Sequence, residues 1–226
     1  MTAADLDAIE SLAGWDTPAL SNALDALRLR PCHTGYTDGS VRRITGTPVP
    51  MAGRAVTARM VARSPGSDGI AVSSLHKAIA DTAGPVVVVL EDCDDPAGAG
   101  AFLGEVNGAL LAALGVRGVV TNGRVRDIAE LRGFPYPVYA AGLCVARCYM
   151  RLIDVGTCVN VAGLTVRHGD ILHGDEHGVL QIPAEALPGI IGKAKEIRNE
   201  EQGIVAWSRS AGFSIGKLLQ LRRVRH

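Results

Sequence analysis

Apolar residues first recur at helical spacing and later fall in short continuous runs, and this change predicts where helices give way to strands. Residues 4–13 are patterned as a helix. A second helix is expected near Asp16-Thr17-Pro18, where Thr17 can cap free N–H groups and Pro18 suits a first turn. Its apolar positions Leu20, Ala23, Leu24 and Leu27 share one face. Residues 31–53 are rich in Gly, Pro, Thr and Ser, which predicts a loop with short strands. A strand of mixed polarity follows over Ala55 to Arg63, then a helix over Ser67 to Ala83, closed by Gly84-Pro85.

The run Pro85-Val86-Val87-Val88-Val89-Leu90 is apolar on both faces, as a central strand covered on two sides must be. An acidic, flexible turn is expected over Glu91 to Pro96, a helix over Gly104 to Leu114, and a second buried strand over Gly118 to Thr121. Strand, helix, strand in that order implies a right-handed crossover and a parallel pair. The loop Asn122 to Arg126 leads into a helix over Asp127 to Arg132, and Pro137 to Ala140 supplies another strand. Beyond residue 150 the texture changes. Val159 to Val166, Asp170 to His173 and Gly178 to Pro183 suggest short antiparallel strands joined by tight glycine turns. A long charged helix is expected from about Ala184 to Ser208. With no repeat, low-complexity tract or obvious linker, the pattern predicts one α/β domain over residues 1–226, its C-terminal helical extension beginning near residue 184.

Composition narrows the chemistry. Hydrophobic residues make up 47% of the chain but aromatics 4%, so the core must be aliphatic. The 23 basic and 23 acidic residues balance, which argues against nucleic acid or an anionic membrane as partner. The basic tail Arg222-Arg223-Val224-Arg225-His226 is expected to be a solvated chain end. Cys32, Cys93, Cys144, Cys148 and Cys158 form no C-x-x-C pair and suggest reduced thiols, with Cys144 and Cys148 serving as small buried residues. The first residues lack the basic and apolar regions of a signal peptide, and no apolar run approaches the roughly 20 residues that cross a bilayer. A cytoplasmic location is the expectation.

Candidate chemistry gathers in two loops that should lie beyond the carboxyl ends of the parallel strands, where α/β sheets bind ligands. One is Gly104-Glu105-Val106-Asn107-Gly108, opening a helix whose free N–H groups and positive dipole end suit an anion. The other is Asn122-Gly123-Arg124-Val125-Arg126-Asp127. There Arg126 can grip a carboxylate with two hydrogen bonds and Asp127 can hold a hard divalent cation. The plainer alternative is that Asp127 caps its own helix and Arg126 is solvated. Neither a Walker loop nor a dinucleotide fingerprint is present. His173-Gly174-Asp175-Glu176-His177 is expected in a hairpin turn facing water. His33 and His76 stand isolated, Asp92, Asp94 and Asp95 make an acidic turn, and Glu196 to Glu201 with Lys193 and Arg198 make a charged helix face.

The run from Gly104-Glu105-Val106 through Gly115 to Leu131, containing Thr121-Asn122-Gly123-Arg124-Val125-Arg126-Asp127 and Glu130, resembles the family of regulator of ribonuclease activity A. That family also contains the class II 4-hydroxy-4-methyl-2-oxoglutarate/4-carboxy-4-hydroxy-2-oxoadipate aldolases. The resemblance extends to Thr17 through Asp25 and to Val166 through Val179, and so covers most of the chain. It implies a swivelling β/β/α fold, a mixed sheet flanked by helices, assembled as a homotrimer or hexamer with a site shared between subunits. It also implies that Arg126 binds the substrate carboxylate and that Asp127 anchors Mg²⁺ or Mn²⁺. Glu105 would take the place of a metal-shell or water-holding acid, with Gly104, Val106 and Asn107 around the substrate. A Glu from a neighbouring subunit is expected at Glu200, with Glu196 and Glu201 as rivals. Regulator members tend to lack the Asp, so Asp127 and Glu130 favour the aldolase branch. The familiar Ile-Asp-Gly strand end is Thr121-Asn122-Gly123 here, a departure that bears on substrate identity. The activity implied is metal-dependent retro-aldol cleavage of a 4-hydroxy-2-oxo acid to give pyruvate, with oxaloacetate decarboxylation alongside. The alternative is a non-catalytic regulator of a ribonuclease-type partner. A methyltransferase role finds no support, as no S-adenosylmethionine glycine loop is apparent.

Overall fold

The computed structural model describes residues 2–223, with side chains described up to residue 220. The side chains of the basic tail, Arg222 to His226, therefore lie outside the described residues. In chain order the elements are α1 (Ala3–Leu12), α2 (Thr17–Leu27), β1 (Arg42–Thr45), β2 (Met51–Val61) and α3 (Ser73–Asp81). Next come β3 (Val86–Asp92), α4 (Glu105–Ala113), β4 (Val116–Thr121), β5 (Arg124–Val125) and α5 (Ile128–Leu131). β6 (Val138–Ala140), β7 (Gly142–Leu143), β8 (Arg151–Val155), β9 (Val159–Val161) and β10 (Leu164–Val166) follow. The chain continues through β11 (Ile171–Asp175), β12 (Gly178–Ile182), α6 (Ile190–Ser208) and α7 (Ile215–Arg223).

Among the described residues, eight strands form one mixed sheet in the order β1-β6-β4-β3-β2-β11-β12, with β8 also paired to β2. The long strand β2 holds two partners on one side. Its first residues pair with β11 and its last with β8, both antiparallel, while β3 runs parallel along its other edge. β3 and β4 are parallel, as the strand–helix–strand order predicts.

Period-two alternation in β3 explains why its valines run unbroken. Val86, Val88 and Leu90 enter a core with Leu75 and Ile79 of α3, Leu111 of α4 and Leu131 of α5. Val87 and Val89 enter a second core on the opposite face, roofed by Val159, Val161, Leu164 and Val166 of the β9–β10 hairpin. A third cluster packs α1, α2 and α6 onto Ile171, Leu180 and Ile182. The result is an α/β fold, a mixed sheet flanked by helices.

Several local expectations are corrected. Asp16, not Thr17, caps α2, accepting the Ala19 N–H at 2.8 Å. The helix expected from Ser67 begins at Ser73, because the Ile70 N–H is drawn into a bridge with the Leu152 carbonyl at 2.8 Å. Glu91 and Asp92 belong to β3 rather than to a turn, and Asp92 is buried. The C-terminal helix starts at Ile190 after a short 3-10 turn over Ala184–Ala186. β8 and α7 carry patterns too short or too mixed to be anticipated. Cys144 and Cys148 occupy a loop, Cys148 exposed and Cys144 half-buried, and are not the small buried residues expected.

The sharpest correction concerns His173 and Asp175. Both lie in β11 with 0% and 2% exposure, not in a solvated turn. Asp175 accepts the Thr17 N–H at 2.8 Å and the His177 N–H at 2.8 Å, and His173 Nδ1 lies 3.0 Å from the Thr17 hydroxyl. Buried polar groups survive where hydrogen bonds replace water, and here they tie the start of α2 to the sheet. Burial raises the Asp175 carboxyl, yet the hydrogen bonds from Thr17 and His177 hold it below the ordinary aspartate value.

Candidate functional site

The loops after β3 and β4 meet beyond the carboxyl ends of those strands and open a cleft of about 480 Å³. Gly104, Glu105, Val106, Asn107, Arg126 and Asp127 all line it, so residues grouped by sequence pattern are gathered in space. Backbone bonds build the floor. The Arg126 N–H donates to the Leu103 carbonyl at 3.1 Å, and the Asn107 side-chain amide donates to the Phe102 carbonyl at 2.7 Å. Asn107 thus braces the loop that precedes its own helix.

Asp127 does not act as the cap of α5. It stands at the start of that helix in the left-handed region, φ 55° and ψ 51°, with no side-chain capping bond. Its Oδ2 instead accepts the N–H of Glu105, the first residue of α4, at 2.9 Å. The Arg126 Nε lies 3.5 Å from the same oxygen. The two side chains are 39% and 34% exposed, open to a ligand yet held in place. An aspartate tolerates this backbone better than most residues, and such outliers cluster where geometry serves function.

Gly104 makes the arrangement possible. A Cβ there would lie 2.4 Å from Asp127 Oδ2 and 3.1 Å from Arg126 Cγ. Its φ of −151° is open to any residue, so the requirement is space and not conformation. Behind the site, Asn122 clasps the end of β3: its Oδ1 accepts the Asp92 N–H at 2.7 Å and its Nδ2 donates to the Asp92 carbonyl at 3.0 Å. The Asp92 carboxylate turns inward and accepts the Gly98 N–H at 2.6 Å, which secures the loop entering the cleft. Burial raises its carboxyl despite the hydrogen bonds from Gly98 and Asp94.

The match that decides the family covers the same ground. Residues 17–181 match the RraA-like family, described as Aldolase/RraA. The chain belongs to that family. An uncharacterised protein of Methanocaldococcus jannaschii is 42% identical over 91 residues, 40% of this chain and 44% of that protein. The chain thus spans less than half the length of that relative. A Halalkalibacterium halodurans protein provisionally named 4-hydroxy-4-methyl-2-oxoglutarate aldolase is 25% identical over 206 residues, 89% of each chain. Among solved structures, the fold matches Streptomyces coelicolor RraAS2, described as an unusual member of the RNase ES inhibitor RraA family. That match has TM-score 0.69 and 20% identity and covers 87% of this chain and 94% of that one. The RraA-like family therefore includes both proteins named as aldolases and proteins described as inhibitors of RNA processing.

Two cleft residues were not singled out by sequence pattern. His76, on α3, and Arg147, between β7 and β8, line the same cleft as Arg126 and Asp127. His76 looked isolated because its neighbours are assembled by the fold and not by the chain. Glu200, Glu196 and Glu201 lie exposed on α6, away from the cleft-lining residues of their own chain. The HGDEH segment contributes nothing to the cleft. No helix among the described residues is long and apolar enough to cross a membrane.

The cleft thus offers a guanidinium and the open end of α4 to an anion, beside a carboxylate suited to a hard cation. Among the described residues no three His, Cys, Asp or Glu side chains gather into a metal cage. The contacts of Asp127 engage Oδ2, leaving Oδ1 for another ligand. That donor set fits an ion such as Mg²⁺, which keeps several waters and uses one or two carboxylates plus substrate oxygens. It does not fit a zinc site closed by protein ligands.

Proposed function

We propose that this chain is a divalent-metal-dependent lyase that cleaves 4-hydroxy-2-oxo acids of the 4-hydroxy-4-methyl-2-oxoglutarate type, releasing pyruvate, and that it also decarboxylates oxaloacetate. The observation that carries this reading is the Arg126–Asp127 pair, seated against Gly104 at the mouth of the cleft with both side chains accessible. Asp127, through Oδ1, is the group to hold Mg²⁺ or Mn²⁺, with a Glu from a neighbouring subunit, Glu200 foremost, completing the site in a homotrimer or hexamer. When bound, the ion would neutralise the negative charge that develops on the keto oxygen as the C–C bond breaks.

The chain's own residues do the rest. Arg126 holds the carboxylate of the 2-oxo acid in a two-point grip, fixing the breaking bond across the plane of the carbonyl. The free N–H groups at the start of α4, at Val106 and Asn107, add positive potential on the same side. Glu105, exposed at the cleft edge, is placed to hold a water that takes or returns the proton. Both reactions leave the same pyruvate enolate, so one constellation serves cleavage and decarboxylation alike.

The test is pyruvate release from oxaloacetate and from 4-hydroxy-4-methyl-2-oxoglutarate, with Mg²⁺, Mn²⁺ or chelator. Asp127→Asn keeps a residue tolerant of the left-handed backbone while removing the charge. It is expected to lower turnover at least 100-fold in a folded protein. Arg126→Lys should raise KM more than it lowers kcat, because a point charge replaces a planar fork. Chelator-insensitive turnover, or full activity in Asp127→Asn, would reject the reading. The opposite result, no turnover in any variant but tight association with a ribonuclease, would favour the regulatory role described for other family members.

A further inference from the structure

The loop between β7 and β8 forms one rim of the cleft, to which Arg147 and Met150 contribute, and it is pressed onto the stretch that leads to Ala101 and Phe102 in the wall. The Ala101 N–H donates to the Ala146 carbonyl at 3.1 Å, and the Cys148 thiol donates to the Ala99 carbonyl at 3.0 Å. A Cβ on Gly100 would lie 2.3 Å from the Arg147 carbonyl oxygen and 2.9 Å from Cys148 Cβ, so backbone meets backbone there. The start of the loop is tied to the other half of the site. The Cys144 N–H donates to the carbonyl of Val125, the residue before Arg126, at 3.0 Å.

Two thiols bracket this rim, four positions apart. The Cys144 thiol donates at 3.4 Å to the Ala146 carbonyl, the same oxygen that holds Ala101, while Cys148 is held on Ala99. Both sulfurs therefore rest on one corner of the loop packing. Burial pushes the Cys144 thiol up, Arg124 opposes that rise, and the negative charge of Cys148 adds to it, so the two sulfurs sense each other. Closing a disulfide over so short a spacing requires Cα atoms within about 4.4–6.8 Å, which a turning chain supplies. The chain turns at Cys148, where φ is 51°. Cys148 is exposed, and Val145, between the thiols, is 95% exposed, so an oxidant reaches the pair from solvent.

We infer that Cys144 and Cys148 are a redox-sensitive pair, closed to a disulfide by a hydroperoxide, and that closure slackens the cleft rim. The exposed Cys148, as its thiolate, attacks one peroxide oxygen; the O–O bond breaks, hydroxide leaves, and Cys148 becomes a sulfenic acid. The Cys144 sulfur then attacks the Cys148 sulfur, losing its proton as the second hydroxide leaves. Two thiols and one hydrogen peroxide thus give one disulfide and two waters. A disulfide has no S–H to donate, so the bond that fastens Cys148 to Ala99 is lost. The sulfurs must also turn from their carbonyls toward each other, which draws Ala146 away from the Ala101 N–H.

The test exposes the full, reduced chain to hydrogen peroxide. Trypsin cuts after Arg132, Arg147 and Arg151, so the two cysteines fall in separate peptides, 133–147 and 148–151. Mass spectrometry without reductant is expected to find these two peptides joined, and dithiothreitol should separate them. In Cys144→Ser, Cys148 should instead pass on to the sulfinic acid. Hydrogen exchange supplies the second measurement: the Ala101 amide is expected to exchange severalfold faster in the oxidised wild type, and not in Cys144→Ser treated alike. Free Cys144 and Cys148 thiols after Cys93 has been oxidised, or sulfinic Cys148 in the wild type without joined peptides, overturn the pair. Joined peptides with unchanged exchange at Ala101 overturn its effect on the cleft. Neither measurement uses catalysis, so the outcome is independent of the proposed lyase reaction.

Discussion

Replacing Gly104 with alanine places one methyl group where the geometry leaves no room for it. The added Cβ would lie 2.4 Å from Asp127 Oδ2, and ordinary contact begins near 3.4 Å, so the carboxylate must retreat by about 1 Å. That retreat breaks the 2.9 Å hydrogen bond from the Glu105 N–H and shifts Arg126, whose Cγ is 3.1 Å from the same methyl. Hydrogen bonds to charged groups contribute about 1.5–3 kcal/mol, but Asp127 is one-third exposed and water can take over, so about 1 kcal/mol of stability is expected to go. For a chain of this size that is a fall of about 2–4 °C in Tm. The catalytic effect should be larger. A misplacement of 1 Å costs on the order of 100-fold in rate, equivalent to about 2.7 kcal/mol of barrier. The signature is therefore a folded protein with little activity, read by pyruvate release from oxaloacetate beside a thermal melt. A rate within twofold of wild type would mean that Asp127 need not sit where the structure holds it. A Tm loss above about 10 °C would mean that Gly104 serves the core instead.

Three further outcomes follow from other parts of the molecule. Asn122→Asp removes the amide that donates to the Asp92 carbonyl and sets a negative charge against that oxygen, so urea denaturation should show a loss of about 1–3 kcal/mol; no loss would mean that the clasp on β3 is idle. Burial holds the His173 imidazole below its usual pKa, so the native ring stays neutral while the unfolded ring takes up a proton below about pH 6.5. Stability should therefore fall as pH drops through that point, by at most about 1.4 kcal/mol per pH unit from this group; a denaturant series from pH 7.5 to 5.5 should show the slope flatten in His173→Gln, and an unchanged slope refutes the assignment. Gly203 lies within α6 with open space where a Cβ would be, so Gly203→Ala should gain up to about 1 kcal/mol in the same assay with activity untouched.

What could be read from the chain depended on how local the cause was. The buried valines of β3 announce a central strand because two apolar cores press on it from opposite faces, and each valine carries that information itself. The parallel pairing of β3 with β4 follows from element order. The helix expected from Ser67 was overextended because a periodic pattern does not show that Ile70 is claimed by β8, more than eighty residues on in the chain. His173 and Asp175 were misplaced for a related reason. Polarity predicts solvent exposure unless partners are known, and their partner is Thr17, at the other end of the chain. His76 and Arg147 left no sequence signal, since a lone histidine and a lone arginine acquire meaning when α3 and the β7–β8 loop close on the same cleft.

The Arg126–Asp127 pair was legible for a reason that also limits it. Adjacent side chains on an extended backbone point to opposite faces, so an Arg-Asp dipeptide does not ordinarily aim both groups at one ligand. Here the left-handed backbone at Asp127 breaks that alternation and turns both into the cleft. A helix cap would need no such departure, because a capping aspartate sits in extended backbone and bonds to its own first turn, as Asp16 does with φ −80° and ψ 152°. Asp127 forgoes that bond, adopts a costlier conformation, and spends its hydrogen bond on a helix 22 residues upstream. The two aspartates begin helices in the same molecule, and the contrast between them separates a stabilising cap from a side chain held at the cleft by a different helix.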